Sequence, residues 1–325
     1  MMRTTFYAQQ ATNRRQSVVL VVVVLALLAV LGFAIGYGTS GYVESGLAVT
    51  IGALVLGGLL SIGSYFGGDK LVLTSSGAKE VDSESAPQLM NVVQEMAIAA
   101  GTPMPRVYVI DDTAPNAFAT GRDPKHASVA ITTGLLQKLD REELQGVLGH
   151  ELSHVRNFDI RFALLVAVLV GSIALLADFF LRFTFWGGGR RSSSRDRGGG
   201  GLQALIFVLA IILAILAPII AGLVQLAVSR QREYLADASS VELTRNPAGL
   251  ERALAKIASD KEVLEVANRA TAHLYFTNPI KKFEARASGM FSTHPPIVDR
   301  INRLRELTGE APMSGEEVRA LSGLD

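Results

Sequence analysis

DREELQGVLGHELSHVRNFD, residues Asp140 to Asp159, decides how this chain is read. Asp140 can accept a hydrogen bond from the free amides at a helix start, and Glu143, three residues later, is the partner a capping box needs. Leu144, Leu148, Leu152 and Val155 then recur at helical spacing, predicting a helix with an apolar stripe turned to a core. His150 and His154 stand four residues apart on the other side, one above the other. In this His-Glu-x-x-His pattern two imidazoles hold one Zn²⁺ while the intervening Glu151 polarises the metal's water. A catalytic zinc also needs a third protein ligand and must leave a position for water.

Outside this helix the chain is too apolar for an ordinary soluble protein. Of its 325 residues 49% are hydrophobic and 19% charged, and mean hydropathy is +0.31. A net charge of +1, from 31 basic and 30 acidic residues, creates no global field for nucleic acid, so none is expected as a partner. With no cysteine, disulfides and thiolate metal sites are excluded, and any metal must be held by His, Asp or Glu.

Four apolar runs supply the membrane part. Ser17 to Tyr37 follows Arg3, Arg14 and Arg15 and reads as an uncleaved anchor, since about 20 apolar residues suffice to cross a bilayer. Gly46 to Tyr65 follows after a turn without Lys or Arg, so the pair forms a hairpin with its basic tail, and the residues after it, on the cytoplasmic side. A third run begins at Phe162 and is interrupted at Asp178; a fourth, Leu202 to Val228, contains Pro218 as a kink site. Between them, residues 187–201 are rich in Gly, Ser and Arg and read as a flexible basic linker. The organisation expected is a tail with two transmembrane helices at 1–66, a first catalytic part at 67–161, two hydrophobic helices at 162–228 and a second catalytic part at 229–325.

The polar segments predict a helix from Pro87 to Ala100 stopped by Gly101, strands at Arg106–Ile110 and Ala127–Thr132 with Asn116–Thr120 extended between them, and helices near Ala248–Ser259 and Pro296–Thr308. For the third metal ligand the candidates are His126, His273, His294 and several carboxylates. Glu233 and Asp237, four apart on a predicted helix, face the same way, and one could bind metal while the other holds the second nitrogen of a ligating imidazole. Spacing alone serves equally well for a surface charge cluster with Arg230 and Arg232.

Asn116–Gly121 (NAFATG), His150–Asp159 (HELSHVRNFD), Glu233–Asp237 (EYLAD) and Phe291–Pro296 (FSTHPP), together with the paired apolar runs, resemble the HtpX family of membrane zinc proteases. These are relatives of the CAAX prenyl proteases and, more distantly, of thermolysin-like gluzincins. The likeness covers nearly the whole chain. It implies Glu233 as third zinc ligand and Asp237 as the residue orienting a ligand. It further suggests Asn116, Ala117 and Phe118 as an edge strand that pairs with an extended peptide, although Asn116 also suits a turn after Pro115. His294 could donate to the oxyanion by analogy with gluzincins, or serve as a capping or packing residue before Pro295.

The fold expected is therefore a mainly α membrane protein, a helical transmembrane anchor carrying a gluzincin-like α+β zinc protease domain with a small sheet. The resemblance implies a metalloendopeptidase acting on misfolded or damaged membrane proteins in a bacterial inner membrane, with a cytoplasmic catalytic domain. An intramembrane active site is disfavoured by Arg141, Glu142, Glu143, Arg156, Asp159 and Arg161 around the motif, which are costly in hydrocarbon. A transporter or scaffold with a structural zinc is the rival from another class; Glu151 between the two imidazoles argues against it. Five Arg between Arg182 and Arg197 oppose translocation of the linker, which leaves full crossing by residues 162–228 open.

Overall fold

The computed structural model describes residues 6–185, 200–260, 262, 276 and 295–322. It divides into two compact units, one drawn from residues 14–64 and 164–225, the other from 65–163 and 226–325 with the first 13 residues.

The apolar unit is helical. Helices α1 (Phe6–Ser40) and α2 (Val43–Ser75) are joined by a turn at Gly41, whose φ of +79° suits glycine. Close approach is achieved with small residues: a Cβ at Gly36 of α1 would lie 2.3 Å from the carbonyl oxygen of Ser45, so only hydrogen fits there. The third and fourth runs are α6 (Asp159–Phe185) and α7 (Gly200–Thr244). Asp178 does not end α6; Arg182 one turn later pairs with it, Nε to Oδ2 at 2.7 Å. Helix α7 likewise continues through Pro218. The four helices carry stretches of 20, 33, 24 and 19 residues that are long and apolar enough to cross a bilayer. Residues 187–199 of the expected basic linker lie outside the described residues, while Gly200 and Gly201 open α7.

Composition shifts at Gly67, yet α2 runs on to Ser75. A change from apolar to charged side chains alters which solvent a helix prefers, not whether its backbone stays helical, and the chain leaves the helical conformation only near Gly77 with its φ of +62°.

In the polar unit a four-stranded sheet has the order β1-β2-β4-β3, with β1 at Lys79–Val81, β2 at Arg106–Ile110, β3 at Ala117–Gly121 and β4 at Ala127–Thr132. β2 and β4 are parallel; β1 and β3 run antiparallel to their neighbours, leaving β3 on an edge. The three-residue β1, two of whose residues are charged, gives no periodic signal in the sequence.

Helix α3 (Pro87–Ala100) starts on proline and ends at Gly101 in the left-handed region, as its sequence predicts. Helix α4 (Thr133–Lys138) is capped by the Thr132 hydroxyl, which accepts from the Leu135 amide. Helix α5 (Arg141–Arg156) carries the His-Glu-x-x-His segment. Its capping box is complete: Asp140 Oδ1 accepts from the Glu143 amide at 3.0 Å, and Glu143 Oε2 accepts from the Asp140 amide at 2.8 Å. A cap of this kind contributes about 1 kcal/mol.

The stripe Leu144, Leu148, Leu152 and Val155 is buried, but so is most of the opposite face, because α5 runs through the middle of this unit. It packs on α3, β3 and α8 (Pro247–Ser259), and α8 packs in turn on α9 (Ile297–Thr308) and α10 (Gly315–Ser322). Gly146 permits a close contact: a Cβ there would lie 2.8 Å from the Leu250 backbone of α8.

Candidate metal centre

Helix α5 brings the Nε2 atoms of His150 and His154 to 3.1 Å from each other. Helix α7 faces them with Glu233, whose Oε2 lies 3.6 Å from Nε2 of His150 and whose Oε1 lies 3.3 Å from Nε2 of His154. The far sides of both rings are engaged. Nδ1 of His150 meets Asp237 Oδ1 at 2.9 Å, and Nδ1 of His154 meets Asp159 Oδ2 at 3.1 Å. Ionised carboxylates only accept, so each Nδ1 carries a proton, and in the neutral ring each Nε2 is the nitrogen left with a lone pair. Two imidazole nitrogens and a carboxylate oxygen therefore converge as acceptors, within 4.8 Å of one another, which is the arrangement that holds a metal cation.

Each carboxylate behind a histidine is backed by an arginine. Arg300 of α9, fully buried, donates Nε to Asp237 Oδ2 at 2.9 Å and Nη2 to Oδ1 at 2.7 Å. Arg232 of α7 pairs with Asp159 and lies over the Phe162 ring, 3.7 Å from its centroid. Asp159 reaches His154 because Phe158, at φ 59°, turns the chain sharply between α5 and α6. That conformation costs a non-glycine residue about 1 kcal/mol.

The electrostatics follow from this layout. Burial disfavours the charged form of His150, but Asp237 and Glu233 outweigh it and hold its pKa above the ordinary value. His154 is pushed further up, against burial, by Asp159 and Glu233. Asp237 is held low, again against burial, by Arg300 and His150. The site thus favours positive charge between Glu233 and the rings. Glu151, 2% exposed, is shifted up chiefly by burial and also by Glu233, while the two imidazoles and an amide hydrogen bond from Ala119 pull it back.

That last bond ties the helix to edge strand β3. Asn116 faces β4, its amide donating to Thr132 Oγ1 at 2.9 Å and its carbonyl accepting from the Thr132 amide at 3.0 Å. Antiparallel alternation then turns the backbone groups of Ala117 and Ala119 away from β4. The Ala117 carbonyl accepts from the Phe276 amide at 2.7 Å, and the Phe276 ring stands edge-on to His150, centroids 4.9 Å apart. The Asn116 side-chain oxygen accepts from the Ala117 amide at 3.0 Å, a local turn bond. Phe118 is fully buried.

The structure therefore brings His150, Glu151, His154, Glu233 and Asp237 together beside Ala117. His294 and His273 lie outside the described residues. His126 is elsewhere, in the turn before β4, with its Nδ1 2.8 Å from Asp123 Oδ1. Sequence reasoning missed Asp159, Arg232 as its partner, Phe276 and Arg300. Arg300 alone left a trace: it falls within the Ile297, Ile301, Leu304 stripe, where a charge signals a buried partner.

The sequence matches the profile of Peptidase family M48 over residues 83–308. The chain belongs to peptidase family M48. It is 45% identical over 302 residues to "Protease HtpX homolog" of Streptococcus uberis, an alignment covering 93% of this chain and 99% of that one. It is likewise 45% identical to the protein of that name from Caldanaerobacter subterraneus, covering 95% and 100%. Among solved structures, that of S. mikatae Ste24p aligns with a TM-score of 0.49 and 17% identity over 78% of this chain, which spans 57% of that structure's length. Family M48 membership and four bilayer-length apolar helices make this chain a membrane metalloprotease, with polypeptides as its substrates.

Proposed function

We propose that this M48 member is a zinc-dependent endopeptidase in which His150, His154 and Glu233 hold the metal and Glu151 is the general base. The observation that carries the reading is the meeting of three acceptor atoms one helical turn from a buried carboxylate. Zinc bonds of about 2.0–2.2 Å place tetrahedral neighbours about 3.3 Å apart. Here the two imidazole nitrogens are 3.1 Å apart, Glu233 Oε1 is 3.3 Å from one and Glu233 Oε2 3.6 Å from the other, with one donor atom from each residue within 4.8 Å of the rest, and imidazole nitrogen with carboxylate oxygen is a zinc donor set. Zinc, when bound, supplies Lewis acidity towards the scissile carbonyl and the attacking water.

The residues of the chain do the rest. Glu151 takes a proton from the attacking water and later passes it to the leaving amine; its upward shift from burial brings it closer to the pH at which it must both accept and release. Asp237 and Asp159 fix the imidazole tautomers. The outward carbonyl of Ala117 aligns an extended peptide through its backbone on the sheet edge where Asn116, Ala117 and Phe118 lie, so that side-chain preference is broad. His294 is assigned as donor to the oxyanion. Arg3, Arg14 and Arg15 before the first span support an inner-membrane protein with its catalytic part in the cytoplasm, acting on damaged or unfolded membrane proteins. A structural metal would ask for a fourth protein donor, whereas the group found among the described residues has three.

The test is to purify the chain in detergent with zinc, measure bound metal, and follow cleavage of an unfolded polypeptide. Wild type should hold zinc and cleave. Glu151→Gln should hold zinc and lose about 10²- to 10⁴-fold in rate. His154→Ala and Glu233→Gln should lose metal and activity together, as should wild type treated with a chelator. Normal cleavage by Glu151→Gln would overturn the base assignment, and zinc bound without cleavage by wild type would favour a structural metal.

A further inference from the structure

A second cleft lies away from the histidines, between the last turns of α2 and the turns that open β2 and β4. Its volume is about 330 Å³. Four side chains with permanent positive charge line it, Lys70 from α2, Arg106 from β2, and Arg122 and Lys125 from the turn after β3.

Two carboxylates answer them. Asp69 is taken by Arg106 at 3.1 Å, and Asp123 is shared between His126 at 2.8 Å and Arg122 at 3.7 Å. Four cations less two carboxylates give a surplus of two, leaving His126 out of the count, and Lys70 and Lys125 have no ion-pair partner among the described residues. In a protein whose net charge is +1, such a surplus in one cleft is a local feature.

Position along α2 says what anion belongs there. From Gly46 the helix is apolar through Phe66, long enough for the hydrocarbon core, which needs about 20 residues, and Asp69 and Lys70 follow within one turn. The cleft therefore falls at headgroup depth on this helix. Its rim is apolar: Phe66 is 62% exposed and Met104 40% exposed. The Arg122 guanidinium lies 5.5 Å from the Phe66 ring centroid, so one wall presents a cation and an apolar face together. A free phosphate or a nucleic acid would make use of the cations but not of an exposed Phe and Met. An acyl-linked phosphate uses both.

We propose that this cleft binds the phosphate headgroup of an anionic phospholipid, with Lys70, Arg122 and Lys125 on the phosphate and Phe66 and Met104 against the first acyl carbons. The inference rests on the membrane character of α2 and is independent of the assignments made at the histidines.

The full chain in a neutral detergent would be titrated with short-chain phosphatidylglycerol, short-chain phosphatidylcholine and inorganic phosphate, reading the shift in thermal midpoint. Phosphatidylglycerol should stabilise saturably where the other two do not. The double variant Lys70→Gln/Lys125→Gln changes two exposed side chains and should keep the wild-type midpoint without lipid. Its apparent affinity for phosphatidylglycerol should fall by about tenfold or more. Arg122→Gln, tested alone, should act in the same direction. Equal shifts from phosphatidylcholine would show a general amphiphile effect, and equal shifts from inorganic phosphate a site for the free anion; either overturns the proposal. So would wild-type affinity in both variants.

Discussion

Arg300 grips Asp237 with two nitrogens, at 2.9 and 2.7 Å, and Asp237 holds Nδ1 of His150 at 2.9 Å, forming a buried chain from arginine to the proposed ligand. The two charged partners come from helices 63 residues apart and are both removed from water. Removing one partner of such a pair strands the other, at a cost of about 3–5 kcal/mol. Arg300→Met should therefore lower the unfolding midpoint strongly, and Asp237→Asn added to it should restore part of the loss. Asp237→Asn alone should also weaken zinc binding about 10- to 100-fold, since the amide can present a donor to Nδ1 where an acceptor is needed. Equilibrium unfolding in detergent and competition with a zinc chelator measure the two effects separately.

Gly146 allows α5 and α8 to meet, with the Leu250 backbone 2.8 Å from where a Cβ would sit. Two effects of Gly146→Ala oppose each other. Alanine favours the helix by about 1 kcal/mol, while overpacking a rigid helix contact costs about 1–3 kcal/mol. Because the obstacle is backbone and not the end of a flexible side chain, overpacking should win. Gly146→Ala should be less stable than wild type, and in Gly315→Ala, where nothing lies near, the loss should be absent.

Much of this arrangement could be read from the chain because local chemistry dictated it. The Asp140 and Glu143 capping box, the proline start and glycine stop of α3, and the one-turn spacing of His150 and His154 are all settled within a few residues of sequence. The strands β2 and β4 declared themselves through β-branched residues. What could not be read depends on distant parts meeting. Arg300 has no neighbour in sequence that marks it as the partner of Asp237, and Asp159 faces His154 only because Phe158 adopts an uncommon backbone conformation. By spacing alone Glu233 and Asp237 read equally well as surface charges, and only the resemblance to a known family spoke for a metal role. The hydrophobic runs gave away the helices but not their ends, as α2 continuing past Gly67 shows.

Helix α10 is fastened by an exposed charge pair with a defined pH window. Glu317 accepts from Arg305 Nη2 at 2.8 Å and from the Ser314 amide at 2.7 Å, and these push its pKa from 4.5 to about 2. A carboxylate whose folded pKa lies below its unfolded value adds stability that is fully present above the unfolded value and fades as pH falls towards the folded one. The docking of α10 should therefore be unchanged above about pH 5 and loosen between pH 4.5 and about 2. Hydrogen exchange of the α10 amides, corrected for intrinsic rates, follows this directly. In Glu317→Gln the dependence should flatten; an unaltered profile would mean that other carboxylates control the helix.

Phe276 and an incoming peptide compete for one atom. The carbonyl of Ala117 is a natural acceptor for an extended substrate on the outward edge of β3, and it already accepts from the Phe276 amide at 2.7 Å. Pairing of a substrate at this point requires that bond to open. Phe276→Pro removes the donor outright, and should lower KM for an unfolded polypeptide. The same change also disturbs the ring that stands 4.9 Å from His150 and 4.7 Å from the Arg300 guanidinium, which works against activity. Phe276→Ala separates the two effects, because it deletes the ring and keeps the amide. If competition at Ala117 governs access, Phe276→Pro lowers KM relative to Phe276→Ala while both share any fall in kcat; equal KM values in the two variants would leave the ring contact as the whole of Phe276's role.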